Sequence, residues 1–355
     1  MLPVVDLSRR GARYADAFSA AARRIAIRGQ FLLGPELDAL ERQLADHAGA
    51  RFAVGVASGA AALQLALQSA GIGPGDDVLV PGFTAVPTAS AVMAAGARPV
   101  VVDVDPDTAC VTPNAIADAR TPATRAVIVV HLYGYLADLP ARTDDLIVIE
   151  DAAQASGAHH GPLRSTASAY SFYPTKNLGG IGDGGAVLTD DETIAAAVRR
   201  RRVHGMTELY RHEEVSQNFR MSELEAAWLG LTLPGLDDDV HARRRIAATY
   251  RAAAPHLRWQ RTDPSHGYHL CVFRSPARDD QRRRLAEAGI ATAVHYPAAL
   301  TQQPAYRELF GGAHCPESEA WARECVSVPC FPEMTDDEVQ LVADALASLP
   351  AGEPT

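Results

Sequence analysis

Apolar residues are distributed along the first two thirds of this chain in two alternating patterns. Short continuous runs have the length and β-branched content of buried strands: Phe52–Val56, Asp77–Val80, Pro99–Val102, Ala126–Val130 and Leu146–Ile149. Between them lie stretches of helical spacing or composition at 34–47, where Leu37, Leu40 and Leu44 share a face, and at 60–70, 86–95 and 113–119. Continuous apolar strands separated by helices predict a parallel or mostly parallel sheet covered on both faces. Clusters such as Gly73-Pro74-Gly75-Asp76-Asp77 mark the connections. After a glycine-rich stretch at 179–185 the pattern predicts mostly helix to about residue 255, broken at Pro234-Gly235. Strand-like runs at Tyr268–Phe273 and Ala291–His295 flank a charged helix at 278–288, and helices near 316–325 and 335–347 finish the chain. The expectation is an α/β chain, with a large, mostly parallel sheet domain over 1–234 and a smaller α+β domain over 235–355.

Composition removes several classes of function. A chain of 355 residues with 47% hydrophobic content can fill a sizeable core. The formal net charge of −10 argues against a general nucleic-acid binder, which needs a basic face to displace counterions. No apolar run approaches the roughly 18 residues of a membrane helix, and Met1–Arg10 lacks the apolar stretch of a signal peptide. Five cysteines without a CxxC pair fit a reducing cytoplasm. Gly71-Ile72-Gly73-Pro74-Gly75 precedes a strand, the wrong order for a dinucleotide loop. His159-His160 has no carboxylate or cysteine nearby at metal-ligand spacing, so no metal is expected. The arginine runs at 199–202, 243–245 and 282–284 read as solvated basic faces. His204, His295 and Tyr296 read equally as polar lining of a ligand pocket or as plain packing.

Of the 33 basic residues, Lys176 is the only lysine. Arginine serves for surface charge and anion binding, but its guanidinium keeps its proton and cannot form an imine. Lys176 is therefore a candidate for chemistry that only an amine performs, and its neighbours support it. Glycine-rich backbone follows at once in Lys176-Asn177-Leu178-Gly179-Gly180-Ile181-Gly182. Asp151 stands just beyond a buried strand, where open α/β sheets bind ligands. Ser58-Gly59-Ala60 opens a helix directly after a strand, and helix-start N–H groups suit a phosphate. Alone, Asp151 could be a helix-start carboxylate and Ser58 a simple N-cap. Together, the amine, the carboxylate and the anion site suit pyridoxal 5′-phosphate, which needs an imine partner, a charge on its ring nitrogen and a phosphate cradle.

Four segments carry a resemblance over nearly the whole chain: Glu150-Asp151-Ala152-Ala153-Gln154-Ala155, Ser171-Phe172-Tyr173-Pro174-Thr175-Lys176-Asn177-Leu178, Asn218-Phe219-Arg220-Met221 and His295-Tyr296-Pro297. With them the sequence resembles the fold-type I, pyridoxal-phosphate-dependent sugar aminotransferases of the DegT/StrS type, which aminate keto-sugar nucleotides and keto-cyclitols. The resemblance implies that Lys176 bonds the cofactor and shuttles a proton, that Asp151 pairs with the ring nitrogen, and that Gln154 contacts the ring hydroxyl. It implies that Ser171 with Ser58, Gly59 and Ala60 holds the phosphate. Asn218 would reach the partner's phosphate across a homodimer interface, and Arg220 would meet the amino donor's carboxylate. The donor would be glutamate or glutamine, with His295 and Tyr296 lining the sugar side. Four positions depart from the family's habit: Ala85 replaces an aromatic residue packed on the ring, Ala60 a threonine, Ser216 a glycine and Thr301 a histidine. Two rival expectations stand beside keto-sugar amination: amination of a keto-cyclitol, and a cofactor-binding partner or regulatory protein without turnover.

Overall fold

A computed structural model of the chain describes residues 1–350 apart from 142, 144 and 159–161. Its central sheet has seven strands: β1 (Phe52–Val56), β2 (Asp77–Pro81), β3 (Arg98–Val102), β4 (Thr124–Val130), β5 (Ile147–Asp151), β6 (Ala167–Ser171) and β7 (Gly185–Thr189). Their spatial order is β1-β7-β6-β5-β4-β2-β3. β7 runs antiparallel to both neighbours, and every other adjacent pair is parallel. The mostly parallel sheet is the one the apolar runs predict. β6 and β7 are additions that the pattern did not reveal. Ala167-Ser168-Ala169-Tyr170-Ser171 is rich in small and polar residues, and Gly185-Ala186-Val187-Leu188-Thr189 begins inside the glycine-rich stretch. Both are buried almost throughout, so their small residues are a packing requirement of the sheet centre.

Eight helices accompany this part: α1 (Leu7–Arg28), α2 (Pro35–Ala48), α3 (Gly59–Ser69), α4 (Val86–Ala94), α5 (Pro113–Ala119), α6 (Glu192–Arg201), α7 (Glu223–Thr232) and α8 (Leu236–Ala253). The first of these was not predicted, because only Arg10, Ala21 and Ile25 of its residues are buried and the apolar stripe is thin. It docks through Tyr14 and Phe18, both edge-on to Trp228 of α7. α2 starts at Gly34-Pro35 without a side-chain cap of its own. Glu223 of α7, fully buried, takes that role and accepts from the N–H groups of Gly34, Glu36 and Leu37 at 3.0 Å each and from Arg28 at 2.9 Å. The predicted mostly helical region is interrupted at 203–222, where Met206–Glu208 and Arg211–His212 form a small hairpin. Pro234 sits in a single 3₁₀ turn, Leu233–Gly235, between α7 and α8.

The arginine runs are not all solvated. Arg202 is buried against Glu41 at 2.5 Å and also donates to the Gly55 carbonyl, while Arg200 and Arg201 share Glu214 at 2.6 and 2.7 Å. Arg243 is buried within α8. Arg199, Arg245, Arg283 and Arg284 keep the exposed character read from the sequence.

Beyond α8, an antiparallel sheet joins Arg258–Trp259, Cys271–Arg274 and Cys325–Val328. Helices at Arg278–Glu287, Pro316–Glu324 and Asp336–Ala347 agree with prediction. The strand expected from Tyr268 begins only at Cys271, because Tyr268 adopts φ 42°. The strand expected at 291–295 is reduced to one bridge, Ala293 with Ser327. The start of the chain pairs with this region: the Leu2 N–H donates to the Gly289 carbonyl at 2.7 Å, and the Ala291 N–H donates back to Leu2 at 2.9 Å.

Candidate active site

The parallel strands β4, β5 and β6 end side by side in Val130, Asp151 and Ser171, at the sheet edge where ligands collect. A cavity of about 460 Å³ opens there. It brings together Ser58, Gly59, Ala60, Ala85, Asp151, Gln154, Ser171 and Lys176, with Thr88, Tyr173 and Asp183 also in its wall.

Asp151 is 6% exposed and fixed from two sides. Thr88 donates its hydroxyl to Oδ2 at 2.9 Å, and the Ala153 N–H donates to Oδ1 at 3.2 Å. Thr84, one turn earlier, sits 3.1 Å from Thr88. Burial raises the Asp151 pKa, opposed by these two donors and by the charges of Lys176 and His131. A carboxylate made uncomfortable by burial gains from a cationic partner in the cavity.

Lys176 follows β6 on a loop held by backbone contacts. Its N–H donates to the Tyr173 carbonyl at 2.8 Å, and Asn177 Nδ2 donates to the Gly267 carbonyl at 2.8 Å. Arg10 of α1 reaches the Pro174 and Lys176 carbonyls at 3.5 and 3.3 Å. The space is taken up completely: a Cβ at Gly179 would stand 2.1 Å from the Pro174 oxygen and 2.5 Å from Arg10 Nη1. Burial of the amine lowers its pKa to about 8, partly countered by Asp151.

The anion cradle is built by a close approach. A Cβ at Gly59 would lie 2.6 Å from the Ser171 Cβ, and one at Gly185 would lie 2.4 Å from the Ser58 carbonyl. Those absences let the start of α3 press onto β6 and β7. Ser58 spends its own hydroxyl as the helix cap, accepting from the Ala61 N–H at 3.1 Å. Gly59 and Ala60, whose N–H groups come ahead of the first intrahelical bond, line the cavity together with Ser171. The glycine-rich loop contributes Asp183 and Gly184 to the wall and is tied to Phe172 on either side, the Gly180 N–H donating to the Phe172 carbonyl and the Phe172 N–H to the Gly184 carbonyl. Glu225 of α7 supports it by accepting from the Ile181 N–H at 3.2 Å, and burial pushes that carboxyl up to about 7.

Gln154 is engaged at both ends of its amide. Its Oε1 accepts from the Tyr133 N–H at 2.6 Å, and its Nε2 donates to the Tyr296 hydroxyl at 3.0 Å. Tyr133, at φ 62°, donates its own hydroxyl to the His295 carbonyl. His295 contacts the Ser327 hydroxyl at 2.9 Å, and burial lowers its pKa to about 4. His295 and Tyr296 line a second cavity of about 310 Å³, which shares Tyr173 and Lys176 with the first.

Three expected residues lie elsewhere. Asn218 and Arg220 stand outside both cavities on an exposed loop, where Asn218 Oδ1 accepts from the Arg220 Nε at 2.9 Å. His204 sits in the exposed hairpin region, edge-on to His212, and lines neither cavity. His159 and His160 lie outside the described residues, and among the described residues no cluster suited to a metal occurs. Ala85 leaves its place in the wall without a ring: Phe83 is stacked on Trp321 at 6.1 Å, and Tyr173 is the one aromatic side chain of the first cavity's described wall. Arg10, Thr88 and Arg243 were missed by sequence reasoning. Thr88 had a faint signal, a second hydroxyl one helical turn after Thr84.

The model of the DegT/DnrJ/EryC1/StrS aminotransferase family matches residues 13–347. A dTDP-3-amino-3,4,6-trideoxy-alpha-D-glucose transaminase of Streptomyces venezuelae is 39% identical, over 97% of this chain and 95% of its own length. A protein of Geobacillus stearothermophilus described as a pleiotropic regulatory protein is 38% identical, over 98% of both chains. Among solved structures, S. venezuelae DesV in complex with a ketimine intermediate superposes with a TM-score of 0.91 at 37% identity, covering 98% of this chain and 97% of that one.

Proposed function

Because the chain belongs to the DegT/DnrJ/EryC1/StrS aminotransferase family, we propose that it moves an amino group from L-glutamate or L-glutamine to a keto-sugar nucleotide, with pyridoxal 5′-phosphate as cofactor. The observation that carries this reading is the meeting of three chemistries in one cavity. The only lysine, a buried carboxylate, and a phosphate cradle kept open by Gly59 and Gly185 line the same 460 Å³. The transaminase from S. venezuelae named above supports the substrate class, since its name specifies an amino sugar carried on dTDP.

The residues present fit the cofactor. The N–H groups of Gly59 and Ala60 with the Ser171 hydroxyl would hold its phosphate, Asp151 its ring nitrogen, and Lys176 its aldehyde carbon. When bound, it supplies an electron sink for the pair released when a C–H bond beside nitrogen breaks. The chain supplies the rest. With a pKa near 8, the Lys176 amine is unprotonated in a useful fraction of molecules near neutral pH. At its place between the two cavities that amine would take the proton from the donor carbon and return one to the sugar carbon. Thr88 and the Ala153 N–H keep the Asp151 carboxylate oriented while it holds positive charge opposite itself. The Gln154 bridge between Tyr133 and Tyr296 ties the first cavity to the wall of the second.

The arrangement is read as a homodimer with shared sites, because Asn218 and Arg220 face solvent rather than the cavity of their own chain. Among the described residues no helix is long and apolar enough to cross a membrane, and the five cysteines are free and buried, in keeping with a cytoplasmic setting.

The test follows the cofactor's visible absorbance in the loaded protein. Glutamate or glutamine should bleach it, and a keto-sugar nucleotide should restore it. Restoration by keto-cyclitols alone would replace the substrate class, and a band indifferent to every donor would favour a regulatory role over turnover.

A further inference from the structure

Two buried hydroxyls stand in series behind Asp151. Thr84 and Thr88 belong to the wall of the first cavity and are 3% and 0% exposed, Thr88 in the first turn of α4. A threonine inside a helix ordinarily spends its proton on a backbone carbonyl one turn back. Thr88 instead donates across the fold, over 63 positions of sequence, to Asp151 Oδ2 at 2.9 Å. A hydroxyl has one proton to give, and a carboxylate only accepts. With Asp151 ionised, Thr88 has committed its proton and can only accept from Thr84, 3.1 Å away. The chain therefore runs one way, from Thr84 through Thr88 to Asp151. Each link polarises the next and strengthens the last bond, the one that ends on charge. A protonated Asp151 would have to turn both buried hydroxyls around to donate along the same path.

The other groups that face Asp151 hold it less directly. The Ala153 N–H reaches the second oxygen at 3.2 Å, and Lys176 acts through its charge. His131 is turned to Glu150 at 2.7 Å, and the Tyr296 hydroxyl accepts from Gln154 at 3.0 Å. Among everything that opposes the cost of burying this carboxylate, the Thr88 hydroxyl comes first.

We propose that Thr84 and Thr88 are positioning residues for amino transfer, a one-way hydroxyl relay that keeps Asp151 a carboxylate, so that a proton shared with the cofactor's ring nitrogen resides on the nitrogen. The inference rests on the aminotransferase reading and deepens it, because the cofactor's power to accept an electron pair depends on that charge. Without the relay the buried carboxyl holds a proton more tightly. The proton then passes from the ring nitrogen to Asp151, the charged pair becomes a neutral one, and no other atom changes place.

The probe is pyridoxal 5′-phosphate labelled with ¹⁵N in its ring, bound to the full-length protein with no substrate present. Its nitrogen chemical shift separates the protonated from the unprotonated ring. Wild type should give the protonated signal at neutral pH, and Thr88→Val should move it towards the unprotonated one. Thr88→Ser, which keeps the hydroxyl, should stay with wild type, and Thr84→Val should fall between. In single turnovers with glutamate, Thr88→Val should be slower by at least about tenfold, the scale of a lost hydrogen bond to a charged group. The glutamate concentration for half-maximal rate should change little. A Thr88→Val protein whose ring nitrogen is as protonated as in wild type, or a Thr88→Ser protein no better than Thr88→Val, would overturn the proposal. If Thr88→Val does not fold or take up the cofactor, Thr84→Val decides: a shift in the same direction upholds the relay, and an unchanged signal refutes it. A wild-type protein that no donor bleaches would refute the aminotransferase reading, and the ¹⁵N comparison would still judge the relay by itself.

Discussion

A buried amine carries its cost in the pH dependence of stability. Lys176 has its pKa lowered to about 8 from an ordinary 10.5, so between those values the unfolded chain binds more protons than the folded one. Stability of the cofactor-free protein should therefore rise as pH climbs from about 8 towards 10.5, and the penalty should be complete below 8. Lys176→Met removes the term, so it should melt higher than wild type at pH 7, with the gap closing by pH 10; parallel thermal melts check this. The same variant should be devoid of transamination. Ala85 gives a second expectation. Because its place in the wall lacks a ring, Ala85→Phe should slow cofactor loss on dialysis, with a gain of about 0.5–1.5 kcal/mol, or several-fold in affinity. Lys176, Asp151 and the helix start at Ser58-Gly59-Ala60 were legible in the sequence because their residue types and order are themselves chemical statements, whereas Ser171 entered only through the family resemblance. Arg10 and Arg243 were not. In a chain that uses arginine for nearly all of its positive charge, nothing local separates a buried guanidinium from a solvated one, and both act on residues far away in sequence.

Elements are where glycine decides function. Gly59→Ala would drive its new methyl against Ser171, forcing the start of α3 away from β6. Overpacking of this kind costs about 1–3 kcal/mol, so phosphate-dependent cofactor affinity should fall roughly five- to 150-fold, as read by a cofactor titration. α2 offers a stability counterpart. Glu223→Ala strands the buried N–H groups of Gly34 and Leu37, and each unmade buried bond costs about 1–3 kcal/mol; a denaturant melt should show a loss of at least that size without a change in the slope. The alternation of apolar runs was enough to place β1 to β5 and the helices between them. It failed at β6 and β7, whose small residues answer to the tight contact with α3, a demand made by the tertiary structure that leaves no periodic trace. It overreached at 291–295, where apolar residues pack between segments without joining a sheet.

At the scale of the whole molecule, the proposed homodimer would give the exposed Asn218 loop a cavity on a second copy. Lys176→Ala and Asn218→Asp proteins, each inactive alone, should regain activity on subunit exchange, to about a quarter of wild type for random two-fold pairing. Verified exchange without recovery would confine Asn218 to its own chain. The pairing of Leu2 with Gly289 and Ala291 has a different consequence, one that concerns the ribosome. Synthesis delivers Val4, Val5 and Arg10 long before Val328 and Cys330, with which Val4 and Val5 line the second cavity, and β1 has to wait for β7. Loops this long close late, after the local helices have formed. Until almost the entire chain has emerged, the segment around residue 176 has no dry wall to lie against, and its amine is an ordinary protonated lysine. The nascent polypeptide thus carries its lysine amine in a dormant state, and the meeting of residues 2–5 with residues 289–330 arms it.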